Sequence, residues 1–202
     1  DYAKFVQIGN EVGALLVADM AHMAGLIAGG VADNPLDFGF HVMTMTTHKT
    51  LRGPRGGMIL SKGIVSSPLK APEKTTENIP TLIDRAVFPG TQGGPLMNTI
   101  AAKAVCLYEA MQPEFKQYAS QVIKNAQVLA EELKKQGFYL ITGGTDNHMM
   151  LIDIYKTHGI DGRTAQEKLE AVGIYVNANA IADDPLPPFR PSGIRLGTPA
   201  MT

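Results

Sequence analysis

Cysteine is almost absent. The chain of 202 residues has one, Cys106, which excludes an internal disulfide framework and any cysteine-rich zinc site. Its setting, Ala104-Val105-Cys106-Leu107, reads as a buried thiol acting as a small hydrophobe rather than as a reactive group. A single thiol is in keeping with a reducing compartment. An excess of charge is lacking too: 18 Lys and Arg stand against 19 Asp and Glu, a formal net charge of −1. A nucleic-acid binder that works by counterion release needs a cationic face, so that class is set aside. No apolar run has the length of a membrane span. Both common nucleotide loops are missing, Gly-x-x-x-x-Gly-Lys-Ser/Thr and Gly-x-Gly-x-x-Gly. There is no internal repeat and no low-complexity tract. With 45% hydrophobic and 18% charged residues the chain has the composition of a folded protein. Its length suits one large domain or two small ones. Glycine and methionine are plentiful, at 21 and 10.

The apolar pattern sets out the elements. Phe5, Ile8 and Val12 have helical spacing and predict a first helix, with Gly13 as its stop. Residues 14–18, Ala-Leu-Leu-Val-Ala, form a continuous apolar run that ends at Asp19. Such a run predicts a strand buried on both faces of a parallel sheet. Residues 42–47 predict a second strand. Residues 57–60 follow too closely for a helical crossover, so they are expected to return antiparallel. Residues 66–80 read as a polar surface excursion, and Phe88 to Pro95 as a glycine-rich loop leading into a helix near 96–111. Pro113 opens a long amphipathic helix with Phe115, Tyr118, Val122, Ala126, Leu129 and Leu133 on one stripe, ended by Gly137. Beyond it, short strands are expected at 139–141, 149–154, 174–176 and 193–196, around a helix at 163–172. Residues 183–191 carry four prolines and read as a loop. A domain boundary is expected within 110–137.

Four residues carry the chemistry. Asp19 ends a strand, where open α/β sheets place ligands; His22, three residues on, could serve the same place. The alternatives are an aspartate that caps the next turn or half of a metal pair, for which no third ligand has recognisable spacing. Lys49 follows Thr46-Thr47-His48 at the end of the second strand and precedes the glycine-rich 50–57. A lysine so placed can be desolvated towards the neutral amine that attacks carbonyls; the alternative is a solvated surface group. Arg195 lies in the strand-like Gly193-Ile194-Arg195-Leu196. It suits a bidentate grip on a carboxylate, or else an ion pair with a core Asp or Glu.

Order and wording of five segments are more specific than any one of them. They are Asp-Met-Ala-His-Met-Ala-Gly-Leu (19–26), Thr-Thr-His-Lys-Thr-Leu-Arg-Gly-Pro-Arg-Gly-Gly (46–57), Phe-Pro-Gly-Thr-Gln-Gly-Gly-Pro (88–95), Gly-Gly-Thr-Asp-Asn-His (143–148) and Ser-Gly-Ile-Arg-Leu-Gly-Thr-Pro-Ala (192–200). Together they resemble the serine hydroxymethyltransferases, over the whole of residues 1–202. The resemblance implies an α/β protein of the aminotransferase-like fold type I that uses pyridoxal 5'-phosphate (PLP). Residues 1–110 would be the C-terminal part of its large domain, with a mostly parallel sheet. Residues 111–202 would be a linking helix and most of a small α+β domain.

By the same resemblance Lys49 would hold PLP as an internal Schiff base, and Asp19 would pair with the protonated pyridine nitrogen. His22 would lie near the phenolic oxygen, and Thr46 and His48 would set the surroundings of lysine and ring. Arg55 matches an arginine of the active-site loop. Gly93 and Gly94 match a pair whose amides reach the PLP phosphate of a neighbouring subunit. Arg195 would bind the α-carboxylate of serine or glycine, and Asn179 would lie near the tetrahydrofolate pteridine. The implied reaction moves the serine hydroxymethyl carbon to tetrahydrofolate, giving glycine and 5,10-methylenetetrahydrofolate. Implied as well are a cytoplasmic homodimer or homotetramer with shared active sites, with no resident metal, nucleic acid or membrane. The family's acid/base glutamate and phosphate-binding serine have no match here, so the sequence is expected to be an internal fragment that lacks an N-terminal part and the extreme C-terminus. Two other readings stand beside this one: another fold type I enzyme such as a threonine aldolase, and a non-catalytic binding or assembly piece.

Overall fold

The structure, a computed structural model, describes residues 1–63 and 76–202. The chain divides into two compact units, Asp1–Ala119 and Ser120–Thr202, and each has helices and a sheet of its own.

In the first unit, helix α1 (Tyr2–Val12) is capped by Asp1, whose carboxylate accepts from the Lys4 amide at 3.1 Å. Gly13 ends it in the left-handed region, φ 65°. Its packing face is not the expected stripe: Phe5, Ile8 and Val12 are all exposed. Tyr2 and Val6 face the core instead. Gly9 allows this, because a Cβ there would come within 2.7 Å of the Leu16 side chain. Strand β1 (Val17–Asp19) follows, then the short helices α2 (Ala24–Ala28) and α3 (Pro35–Phe38), strand β2 (Val42–Thr46) and strand β3 (Gly57–Ser61). The sheet order is β1-β2-β3. Strands β1 and β2 run parallel with Asp19 opposite Thr44, and β3 returns antiparallel with Gly57 opposite Thr46.

The expectation of a doubly buried first strand is corrected. Strand β1 holds three residues at the sheet edge, and only Ala18 is buried; Val17 is 58% exposed and Asp19 is open to solvent. Successive side chains point to opposite faces, and only the face that Ala18 presents is covered. The core sits in two clusters. One joins Ala18, Met20, Phe40 and Met43; the other joins Ala24, Leu51, Cys106, Ala110 and Phe115.

Most of the expected excursion, residues 66–75, lies outside the described residues. Its end turns into helix α4 (Ile79–Val87), with Pro80 in the first turn, where its missing amide costs nothing. Helix α5 (Met97–Ala110) follows the glycine-rich loop as expected and buries Cys106, whose thiol donates to Leu51 O at 3.4 Å. Burial pushes that thiol's pKa up. Helix α6 (Pro113–Lys135) carries Phe115, Ala119, Val122, Ala126 and Ala130 along its fully buried line. The small residues on it allow close approach: a Cβ on Gly29 would meet the Ala119 methyl at 2.4 Å.

In the second unit Gly137, at φ 85°, turns the chain out of α6. Strand β4 (Met149–Asp153), helix α7 (Ile154–His158), helix α8 (Gly162–Glu170), strand β5 (Asn177–Asn179) and strand β6 (Gly193–Gly197) make an antiparallel sheet of order β4-β6-β5. Ala126, Ala130, Leu140, Ile152 and Ile194 form its core. Three expectations shift here. Residues 139–141 give a single bridge, Leu140 to Ile152. Ile154 leaves the strand because the Asp153 carboxylate caps α7 through the Lys156 amide at 2.8 Å. The strand expected at 174–176 forms at Asn177–Asn179, where the backbone meets β6, while Ile174 and Tyr175 stay exposed. Among the described residues no helix is long and apolar enough to cross a membrane.

Candidate active site

Parallel strands β1 and β2 end side by side, and the two turns that leave them are stitched together. From the β1 side, Asp19 Oδ1 accepts from the Ala21 amide and from the Thr44 hydroxyl, both at 3.2 Å. From the β2 side, the Thr46 hydroxyl donates to Ala21 O at 3.0 Å. Thr50 completes the seam: its buried hydroxyl donates to His22 O at 2.9 Å and accepts from the Gly25 amide at 2.8 Å. Lys49 lies between these two threonines, half-buried, and its ammonium has no hydrogen bond or ion pair with a described residue. The aspartate therefore does cap the next turn, one of the alternatives open from the sequence, but only through Oδ1; Oδ2 has no partner among the described residues.

The turn beyond the lysine is held from below. Fully buried Thr47 sends its amide to Gly56 O at 3.0 Å and its hydroxyl to Pro54 O at 2.6 Å. His48 Nδ1 stands 3.2 Å from Gly56 O and 3.3 Å from Gly56 N. A protonated Nδ1 donates to the carbonyl and a bare one accepts from the amide, so either tautomer ties the ring to Gly56. Gly53 has to be glycine, since a Cβ would meet Cys106 Sγ at 2.4 Å and Thr47 O at 2.8 Å. Asp19, His22, Thr46, His48 and Lys49 are thus joined in one seam. Arg55 is exposed on the loop behind it. Gly93 and Gly94 lie on an exposed loop with open space where a Cβ would go. No described hydrogen bond joins that loop to the lysine turn.

In the second unit a cleft of about 490 Å³ is lined by residues 142–147, Met149, Met150, Leu151, Asn179 and Arg195. Arg195 is central in β6, paired with Leu151 of β4 and Asn177 of β5. It forms no ion pair with a described Asp or Glu, so the alternative of a structural core pair finds no partner there. Asn179 ends β5 and donates through Nδ2 to Ala180 O at 2.8 Å. The cleft's rim is ordered by its own side chains: Asn147 Oδ1 accepts from the Met149 amide at 2.8 Å, and the Thr145 hydroxyl bonds to Met149 O.

Sequence reasoning missed Thr50 and Gly25 as parts of the seam and the 142–147 loop as the rim of the arginine's cleft. Thr50 sits beside the lysine, but its partner lies 25 residues away, which no local pattern marks. The rim had a signal in its Gly-Gly-Thr-Asp-Asn wording.

The first unit defines an α/β protein that presents an unpaired lysine and a carboxylate at the carboxyl ends of adjacent parallel strands, where such sheets hold ligands. The sequence, for its part, matches the family model of serine hydroxymethyltransferase across residues 1–202. The chain belongs to the serine hydroxymethyltransferase family, whose members are PLP-dependent transferases of one-carbon metabolism. The donor set fits that cofactor: among the described residues, an amine without a partner for the aldehyde, and a carboxylate with one free oxygen for the ring nitrogen.

Proposed function

We propose that the chain serves the reversible transfer of the serine hydroxymethyl carbon to tetrahydrofolate, giving glycine and 5,10-methylenetetrahydrofolate, with Lys49 as the covalent anchor of PLP. One observation carries this reading: the unpaired, half-buried Lys49 between Thr46 and Thr50, both bonded across to the turn that follows Asp19. Bound PLP would supply an electron sink for the pair left at the substrate Cα.

The chain's own residues have the remaining tasks. Lys49 would be the residue that holds the cofactor's aldehyde, and when not so engaged its amine could take or give a proton. Asp19, through Oδ2, would hold the cofactor's ring nitrogen in its protonated form by its charge. Thr46 and His48 keep the lysine turn in place through Ala21 and Gly56, and His22 and Arg55 stand at its borders. Arg195 grips the α-carboxylate of serine or glycine with two parallel N–H bonds, and Asn179, beside it in the cleft, faces the folate. Gly93 and Gly94, unhindered on their loop, serve the phosphate of a neighbouring subunit. A homodimer or homotetramer is supported by the family and by the exposed apolar side chains of Met97, Ile100, Val105 and Tyr108 on α5. Residues 1–110 correspond to part of a large cofactor domain of fold type I. Residues 111–202 correspond to the linking helix and most of a small domain.

Serine cleavage measured with and without tetrahydrofolate tests the reaction. Folate-dependent release of glycine is expected. Cleavage of allo-threonine with no folate-dependent serine cleavage would move the assignment to an aldolase.

A further inference from the structure

Arg52 is a charged residue for which the reading above has no use. It lies three residues past Lys49 with φ 60°, a left-handed conformation disfavoured about 5- to 30-fold for an L-residue. Such a residue persists only where its surroundings hold it. Its amide donates to Lys49 O at 2.9 Å, and the next amide, of Gly53, donates to Thr47 O at 2.7 Å. The bend at Arg52 therefore closes the turn that carries the lysine. The guanidinium makes no ion pair with a described residue. Instead its carbon lies 3.9 Å from the centroid of the Tyr118 ring and 5.4 Å from that of Phe115. Those rings are tilted against each other at 5.6 Å, and Phe115 is buried in the same cluster as Leu51. Two successive residues of the lysine turn are thus anchored at one place, Leu51 inside the cluster and Arg52 over its aromatic edge.

We infer that Arg52 is a positioning residue. Its stacking on Tyr118 holds the left-handed bend that closes the 49–52 turn, and so fixes the direction in which Lys49 leaves β2 and the readiness of its amine to capture a carbonyl cofactor. The inference rests on the assignment of Lys49 made above.

The test compares wild type, Arg52→Ala, Arg52→Gly, Tyr118→Leu and the double variant Arg52→Gly/Tyr118→Leu. Two readouts are taken: the rate at which PLP becomes trappable on Lys49 by borohydride, and exchange of the Gly53 amide in the cofactor-free chain, corrected for its intrinsic rate. Alanine loses the stacking and keeps the disfavoured φ, so capture should slow and amide exchange quicken by about 10-fold. Glycine accepts that φ freely and should return both to within about 3-fold of wild type. Tyr118→Leu should cost about 2- to 5-fold with Arg52 present and nothing in the Arg52→Gly background. Equal impairment by alanine and glycine, or the same loss from Tyr118→Leu in both backgrounds, overturns the inference. Should Arg52→Ala fail to fold, the glycine and leucine variants carry the comparison alone. If wild-type Lys49 traps no PLP, the cofactor reading fails, while the amide exchange still decides whether Arg52 holds the turn.

Discussion

Replacing Gly25 by alanine places the most direct strain on the seam. Its Cβ would stand 2.2 Å from Thr50 O, 2.3 Å from Thr50 C and 2.7 Å from Leu51 N. All three are backbone atoms, so no rotamer change relieves the contact. The Lys49 turn has to retreat by about 1.2–1.8 Å to reach ordinary van der Waals separation. That retreat draws Thr50 away from the Gly25 amide and His22 O, its partners at 2.8 and 2.9 Å in a buried setting. Overpacking costs about 1–3 kcal/mol, and a stranded buried polar group about the same again. The expected loss is therefore about 2–6 kcal/mol, a large share of the 5–15 kcal/mol that a typical domain has. Urea unfolding should show a lower midpoint with an unchanged slope, and borohydride-trapped PLP should fall with it. Gly57→Ala is the control: its Cβ meets only Met45 O, at 3.4 Å, and should move stability by no more than about 0.5 kcal/mol. A Gly25→Ala midpoint equal to wild type would show that the Lys49 turn does not rest against Gly25.

Further outcomes follow from the second unit and the lysine turn. Burial acts to raise the pKa of Asp184, but it is outweighed by hydrogen bonds from the Ser192 hydroxyl and the Ser192, Leu186 and Ile181 amides, which hold it at about 2. Its folded pKa lies below its unfolded one, so its contribution is full above about pH 4 and is lost as pH falls towards about 2. Asp184→Asn turns an amide NH2 towards a backbone N–H in either orientation and should cost about 1–2 kcal/mol at neutral pH. The gap to wild type in urea midpoint should close on acidification; a gap constant from pH 5 to 2 speaks against this. Arg195→Lys, measured by serine binding, should weaken the grip by about 2–3 kcal/mol, since an ammonium cannot match the bidentate fork. Unchanged serine affinity would make Arg195 structural. Thr47→Val strips a buried hydroxyl from Pro54 O and Gly56 O and should cost about 1–3 kcal/mol in thermal or urea unfolding; an unaltered midpoint would argue that the loop behind Lys49 is held otherwise.

Much of this was legible in the sequence where a signal is local. The antiparallel return of β3 followed from the short gap after β2, and the α5 and α6 boundaries from Pro113 and Gly137. What escaped depends on partners distant in sequence. The exposure of Val17 depends on which face of its strand is covered, and only that of Ala18 is, which nothing in the run 14–18 marks. Ile154 continues an apolar run, and only the cap made by Asp153 turns it into helix. Ile174 and Tyr175 have the higher β-propensity, yet pairing with β6 selects Asn177–Asn179, a case of tertiary contacts overriding local preference. At the candidate site Lys49 and Asp19 stood out by their places at strand ends, whereas the part of Thr50 required knowing that Gly25 and His22 face it.

Lys49 as the residue that holds the cofactor is open to a direct test. Mixing the chain with PLP, reducing with borohydride and locating the added mass by peptide sequencing tests it in one step. A single adduct on Lys49 that is lost in Lys49→Ala is expected; modification spread over other lysines, or unchanged in that variant, would rule Lys49 out.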